Sequence, residues 1–136
     1  MPRNIIADSS VLVAFISRDD QHHDWIAAQS GNLPSRWRTC EAVLTEAFHL
    51  VGEKGAPKLK DLLRRGAVML SFDLGDELVP VLTLMDKYAD VPMSLADACL
   101  VRMTETFADP ILLTTDADFR VYRRHSRHVI PCVIPH

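Results

Sequence analysis

Nowhere in the 136 residues is there an apolar run of about 18, the length a helix needs to span a bilayer. The opening "MPRNIIADSS" also lacks the apolar centre of roughly 7 to 15 residues that marks a secretory signal. The expectation is a protein neither secreted nor embedded in a membrane. Cysteine is scarce: Cys40, Cys99 and Cys132 stand apart without CxxC spacing, which argues against a disulfide framework and a zinc ribbon. A reducing cytoplasm is the expected compartment. Glycine is sparse as well, at five residues, and there are no repeats, linkers or low-complexity segments. What is present is 48% hydrophobic and 24% charged, a composition that predicts one ordered domain over residues 1–136.

The formal net charge is -3, which as a sum argues against a nucleic-acid partner. The distribution says more. From Arg120 onward "RVYRRHSRHVIPCVIPH" holds four arginines, three histidines and no acid, and "KGAPKLKDLLRRG" is a second basic stretch. Either one by itself reads as a solvated helix face.

Apolar runs alternate with helical patterns along the chain. "NIIAD" predicts a short buried strand, and "SSVLVAFIS" a helix entered through a serine cap. "DDQHHDWIAAQS" predicts a helix opening with acids, which suit its positive end. A strand at "PSRWRTC" leads to a helix at "EAVLTEAFHLVGE" and then a short basic helix at "APKLKDLLRRG", with proline near its start and glycine past its end. "AVMLSF" is a strand of ordinary length. Helices follow at "GDELVPVLTLMDKYAD" and "SLADACLVRMTETFAD", and strands at "ILLTT" and "HVIPCVI" enclose a short "DADFRVYRR" helix. Alternation of this kind predicts an α/β fold, a parallel sheet with helices on both faces.

In such sheets function gathers beyond the carboxyl ends of the strands, where strand order reverses. Asp8 ends the first strand, and Asp116 and Asp118 follow "ILLTT". Each has an ordinary alternative: Asp8 as a helix cap, the other two as Asx-turns. Ser9 and Ser10 can cap in place of Asp8. Glu46 stands out because Val43, Glu46, Ala47 and Leu50 fall at i, i+3, i+4 and i+7, the spacing of a core-facing stripe. A carboxylate there needs a partner, a metal or a wet cleft, unless it lies at the stripe's edge. Asp97 sits three residues after Ser94 in "SLAD", a capping-box spacing, and also borders Leu100 and Val101.

Four or five acids from separate segments would repel one another in one cleft, and no lysine or arginine is evident among them. Hard divalent cations relieve that repulsion, and an all-oxygen donor set suits magnesium or manganese rather than zinc. Two such ions about 3.5 to 4 Å apart can activate a water and stabilise the leaving oxygen in phosphodiester hydrolysis. A basic surface alongside then has a use as a track for the nucleic-acid backbone.

The stretches "IIADSSVLVAFI", "LTEAFHLV", "MDKYADVPMSLADACLV" and "ILLTTDADFRVYR" together resemble the PIN-domain ribonucleases, and within them the VapC-type toxins of prokaryotic toxin-antitoxin pairs. The resemblance covers nearly the whole chain. It implies a three-layer α/β/α fold with a mostly parallel five-stranded sheet. It also implies that Asp8, Glu46, Asp97 and Asp116 are the acidic quartet binding Mg2+ or Mn2+, with Asp118 a further acid that leaves the principal fourth ligand open. Ser10 and Thr115 match hydroxyl positions that place the acids or a water. The implied activity is RNA hydrolysis by a metal-activated water, leaving 5'-phosphate and 3'-hydroxyl ends. The implied partners are RNA, a cognate antitoxin protein and a second copy of the chain. Apolar excess in "VLVAFIS" and "ELVPVLTLMDKYA" agrees with a homodimer and an antitoxin contact.

Two rival readings come from other classes. A phosphotransfer or phosphatase domain with Asp8 as nucleophile would want a second aspartate two residues on, where Ser10 stands, or a suitably placed lysine. A non-catalytic RNA-binding or interaction module would keep the acids for structure alone.

Overall fold

Strand β1 (Asn4–Ala7) and strand β4 (Pro110–Leu113) contain no charged residue, and all their positions except Asn4 are buried. Uniformly apolar strands of this kind belong at the centre of a parallel sheet covered on both faces. A computed structural model, which describes residues 3–135, places them there. Met1, Pro2 and His136 of the expected 1–136 domain lie outside the described residues.

β1 pairs in parallel with β4, Ile5 opposite Ile111 and Ala7 opposite Leu113, and on its other side with β2 (Trp37–Thr39). β3 (Val68–Leu70) extends the sheet beyond β2, and β7 (Cys132–Val133) extends it beyond β4, both in parallel. The order β3-β2-β1-β4-β7 is the expected five-stranded sheet. The helices are α1 (Ser9–Ile16), α2 (His23–Ser30), α3 (Glu41–Arg64), α4 (Leu78–Lys87) and α5 (Leu95–Thr106), completing the α/β/α architecture. Their apolar faces join the strands in one core that includes Leu12, Ile26, Leu59, Leu100 and Met103. All three cysteines are free. Among the described residues no helix is long and apolar enough to cross a membrane.

Four local expectations need correction. α1 is capped by Asp8 rather than by a serine, because the Asp8 carboxylate already lies against the Ser9 amide. α2 starts at His23, after Asp19 and Asp20 and with Asp24 as the acid of its first turn: Asp20 accepts from the His22 amide in the preceding turn. The two expected helices are both present, but the break between them falls at Gly52, inside the first expected span, where a φ of 65° is left-handed backbone that glycine adopts without a Cβ clash. Pro57 is the fifth residue after that break, inside the helix and past the N-terminal amides that need no helical acceptor.

The fourth concerns the C-terminal stretch. Only Ala117–Arg120 is helical, as one 3-10 turn, and "HVIPCVI" splits into β6 (His128–Val129) and β7 around Pro131. Proline has no N–H for a ladder, so the strand is interrupted while the Pro131 carbonyl still accepts from Leu112 N at 2.9 Å. β6 turns back to pair antiparallel with β5 (Arg123–Arg124) in a separate hairpin.

Candidate metal centre

Strand order reverses at β1, since β2 and β3 lie to one side and β4 and β7 to the other. The chain leaves the carboxyl ends of β1 and β4 in different directions, and the crevice between those exits is the topological switch point. Asp8 and Thr114, both buried, form its floor.

Asp8 is 6% exposed. Its Oδ1 accepts from Ser9 N at 2.7 Å and its Oδ2 accepts from the Thr114 hydroxyl at 2.7 Å. Burial pushes its pKa up from 3.8 to about 6, against the lowering effect of the two hydrogen bonds, and the charges of Asp97 and Glu46 raise it further. The capping role and a place in the cleft are therefore compatible: the cap occupies one oxygen, and the residue still feels the acids across the crevice.

Glu46 is not a core-facing residue. The buried positions of α3 are Val43, Leu44, Ala47 and Val51, so the stripe is rotated relative to the expected one, and Leu50 is 56% exposed. Glu46 lies at the stripe's edge, exposed, with its carboxylate accepting from the Ser9 hydroxyl. That hydroxyl also lies 3.4 Å from Asp8 Oδ1, so Ser9 joins the two acids.

Asp97 completes the expected capping box. The Ser94 hydroxyl accepts from Asp97 N at 3.0 Å, and Asp97 Oδ2 accepts from Ser94 N at 3.3 Å. The same oxygen accepts from the Tyr122 hydroxyl at 3.3 Å. Burial raises the pKa of Asp97 above its ordinary value, and the Asp116 charge adds to the rise.

Asp116 is half-buried. Its amide donates to Thr114 Oγ1 at 3.0 Å, and its Oδ1 accepts from Asp118 N at 2.9 Å, an Asx-type cap on the 3-10 turn. Asp118 is exposed. The Tyr122 phenol, driven up in pKa by burial, is driven further by Asp97, Asp118 and Asp116, so all three carboxylates lie around it.

Three members of the cleft were missed in the sequence. Ser9 and Thr114 make the contacts expected of Ser10 and Thr115. The Ser10 hydroxyl instead accepts from Thr115 N at 3.1 Å, tying the exit of β4 to α1. "SS" and "TT" each offered two hydroxyls, and only the strand and helix registers choose between them. Tyr122 packs edge-on against Tyr88 and Phe119, with ring centroids 5.1 and 5.3 Å away, which leaves only its hydroxyl facing the acids.

The donor set suits a hard cation. Asp8, Glu46, Asp97, Asp116 and Asp118 supply carboxylate oxygens only, and among the described residues none of them is in a salt bridge. Among the described residues, too, no three His, Cys, Asp or Glu side chains are gathered closely enough to hold an ion by themselves. Magnesium fits such an open arrangement, because it keeps several waters and is commonly held by one or two carboxylates.

The comparisons with known proteins follow the same line. No relative among the curated proteins matches the chain. The family model for the PIN domain matches residues 5–124, from the first residues of β1 to the end of β5. PIN domains are generally metal-dependent nucleases, and this chain belongs to the PIN-domain family.

Proposed function

We propose that the chain is a Mg2+- or Mn2+-dependent endoribonuclease, a single domain over residues 1–136, with Asp8, Glu46, Asp97 and Asp116 as its catalytic acids. The observation that carries this reading is the convergence of buried and half-buried carboxylates at the switch point: desolvation raises Asp8 and Asp97, the charges of Asp97 and Glu46 add to the rise at Asp8 and that of Asp116 to the rise at Asp97, and among the described residues none of them is in a salt bridge. A divalent ion held by these carboxylates would supply Lewis acidity and a nucleophilic water for phosphodiester hydrolysis.

The chain's own residues have distinct parts in that scheme. Thr114 donates to Asp8 and accepts from the Asp116 amide, fixing the spacing of the two strand exits. Ser9 orients Glu46, and Tyr122 orients Asp97. Asp116 is favoured over Asp118 as fourth acid because it is half-buried and raises the pKa of Asp97, whereas Asp118 is solvated. Asp118 serves as an outer acid. The expected products carry 5'-phosphate and 3'-hydroxyl ends.

A toxin role in a type II toxin-antitoxin pair, acting in the cytoplasm as a homodimer inhibited by an antitoxin protein, goes with this reading. Its support is unequal between the two apolar segments. In α1 the excess is internal, since Val11, Leu12 and Ala14 are buried. In α4 Leu78, Val79 and Leu82 are exposed, Val79 by 74%, and give a surface for a partner.

The test is cleavage of total cellular RNA with sites mapped, comparing wild type with Asp8→Asn, with and without EDTA. Defined cuts that need both the metal and Asp8 are expected. Cleavage that survives EDTA and the substitution would end the assignment.

A further inference from the structure

The basic C-terminal stretch is not a uniformly solvated face. In the β5–β6 hairpin Arg123 stands opposite Val129 and Arg124 opposite His128. The turn between the strands has left-handed backbone at His125, φ 51°, and Ser126, φ 68°, a conformation unfavourable for residues with side chains. Such a turn persists where its surroundings fix it, and four contacts do. Arg124 Nη2 donates to the Thr104 carbonyl, His125 N to Glu105 Oε2 at 2.6 Å, Lys87 Nζ to the Ser126 carbonyl at 3.1 Å, and Arg123 N to the Tyr88 hydroxyl oxygen at 2.9 Å.

These contacts divide the arginines into two kinds. Arg123 Nη1 also donates to the carbonyls of Arg120, Val121 and Tyr122, so the guanidiniums of Arg123 and Arg124 are both turned to backbone oxygens. Arg120 and Arg127 are exposed, and among the described residues their side chains have no hydrogen-bond or salt-bridge partner. The root of the hairpin adjoins the acids, while its turn packs against Thr104 and Glu105 near the other end of α5. Tyr122, which donates to Asp97, immediately precedes β5, and Arg120 follows Asp118 by two residues.

We infer that the hairpin is a fixed finger for a nucleic-acid backbone, in which Arg120 and Arg127 contact phosphates of an RNA strand lying across the acidic cleft while Arg123 and Arg124 hold the finger in place. This rests on the ribonuclease reading given above. An RNA strand approaching five carboxylates is repelled unless cations flank them, and a free guanidinium can take a phosphate through two parallel hydrogen bonds. An acidic peptide would meet the same cations, but its carboxylates would add to the repulsion with no reacting group for the cleft to act on.

The test is fluorescence anisotropy of a labelled short single-stranded RNA with the full chain in EDTA, where cleavage does not compete, across a salt series. Arg120→Ala and Arg127→Ala should each weaken binding several-fold and flatten the log affinity against log salt slope by about 0.7 per lost phosphate contact. Arg127→Lys, which keeps the charge and loses the second hydrogen bond, should bind between wild type and Arg127→Ala with the salt slope retained. Arg18→Ala, in the basic groove at the other end of α1, should bind as wild type does. Thermal melts matching wild type establish that the variants are folded. Overturning results are no RNA binding by wild type, unchanged affinity and slope in both Arg120→Ala and Arg127→Ala, or poly-glutamate binding that needs these arginines while RNA binding does not. A parallel cleavage assay with Mn2+ separates this inference from the one beneath it. Hairpin-dependent binding without cleavage removes the nuclease reading alone. Cleavage and binding indifferent to Arg120 and Arg127 remove the finger alone.

Discussion

The floor and the rim of the cleft hold their carboxylates by opposite means. Asp8, on the floor, is deprived of water and clamped by the Ser9 amide and the Thr114 hydroxyl. On the rim, Glu46 and Asp118 are exposed, and Asp116 and Asp97 are half-buried. A carboxylate shut away from water must be neutralised by a proton or a cation, whereas a solvated one stays ionised with little help. The floor thus holds one carboxylate dry, and on the rim Asp97 shares that burial in part and rises in pKa with it, while Glu46 and Asp118 stay exposed.

The sharpest way to break this contrast is through activity. Asp8→Asn, Glu46→Gln, Asp97→Asn and Asp116→Asn should each lower RNA cleavage by at least about a hundredfold, about 3 kcal/mol of transition-state stabilisation. Asp118→Asn should lower it by less than about tenfold. Initial rates on one RNA would measure both, and equal losses at Asp116 and Asp118 would contradict the ranking of the two acids.

Stability against pH comes next. Asp8 has a folded pKa of about 6 against 3.8 ordinarily, so the fold favours its protonated form. The stabilisation is fully present below about pH 4 and is lost as pH rises to about 6, a change of about 3 kcal/mol at 1.36 kcal/mol per unit. Urea unfolding of metal-free wild type and Asp8→Asn should show the variant, neutral throughout, becoming the more stable of the two as pH rises through that window, and parallel curves would mean that Asp8 is not desolvated. Millimolar Mn2+ above pH 6 should raise the wild-type melting temperature, because the metal takes the place of the proton, and the rise should shrink in Asp97→Asn.

The hydroxyls give the smaller effects. Thr114→Val removes a donor from Asp8 and an acceptor from the Asp116 amide, and should cost about 1 to 3 kcal/mol in chemical unfolding. Thr115→Val leaves its own backbone bond to Ser10 intact and should change stability by less than about 0.5 kcal/mol. Equal costs at the two threonines would reverse the assignment of Thr114 to the floor.

The central strands were legible because burial on both faces demands unbroken apolar runs, as "NIIA" and "PILL" show. The acids were legible because carboxylates at strand ends and next to apolar stripes are costly without a purpose. Glu46 was singled out by a stripe whose phase was wrong: Leu50 looks like a core residue by spacing and is exposed, because the helix faces its neighbours through Leu44 and Val51 instead. The hydroxyl partners were illegible because choosing Ser9 over Ser10, or Thr114 over Thr115, depends on a rotation of one residue that tertiary packing sets. The hairpin was hidden for a related reason. "RVYRR" has good helix formers, but Tyr122 gains more from burial against Tyr88 and Phe119 than the helix would return.

The pairing of β1 with β4 also sets an order of assembly during synthesis. Asn4 finds its partner only at Pro110, and Thr114 reaches Asp8 across 106 positions of chain. At ordinary translation rates of about 5 to 20 residues per second, the ribosome needs about 5 to 20 seconds to make the intervening segment. Throughout that interval a nascent chain carries Asp8, Glu46 and finally Asp97 without the strand that draws them together. The cleft therefore closes only near the end of translation, and a polypeptide interrupted before Pro110 is expected to lack the assembled cleft.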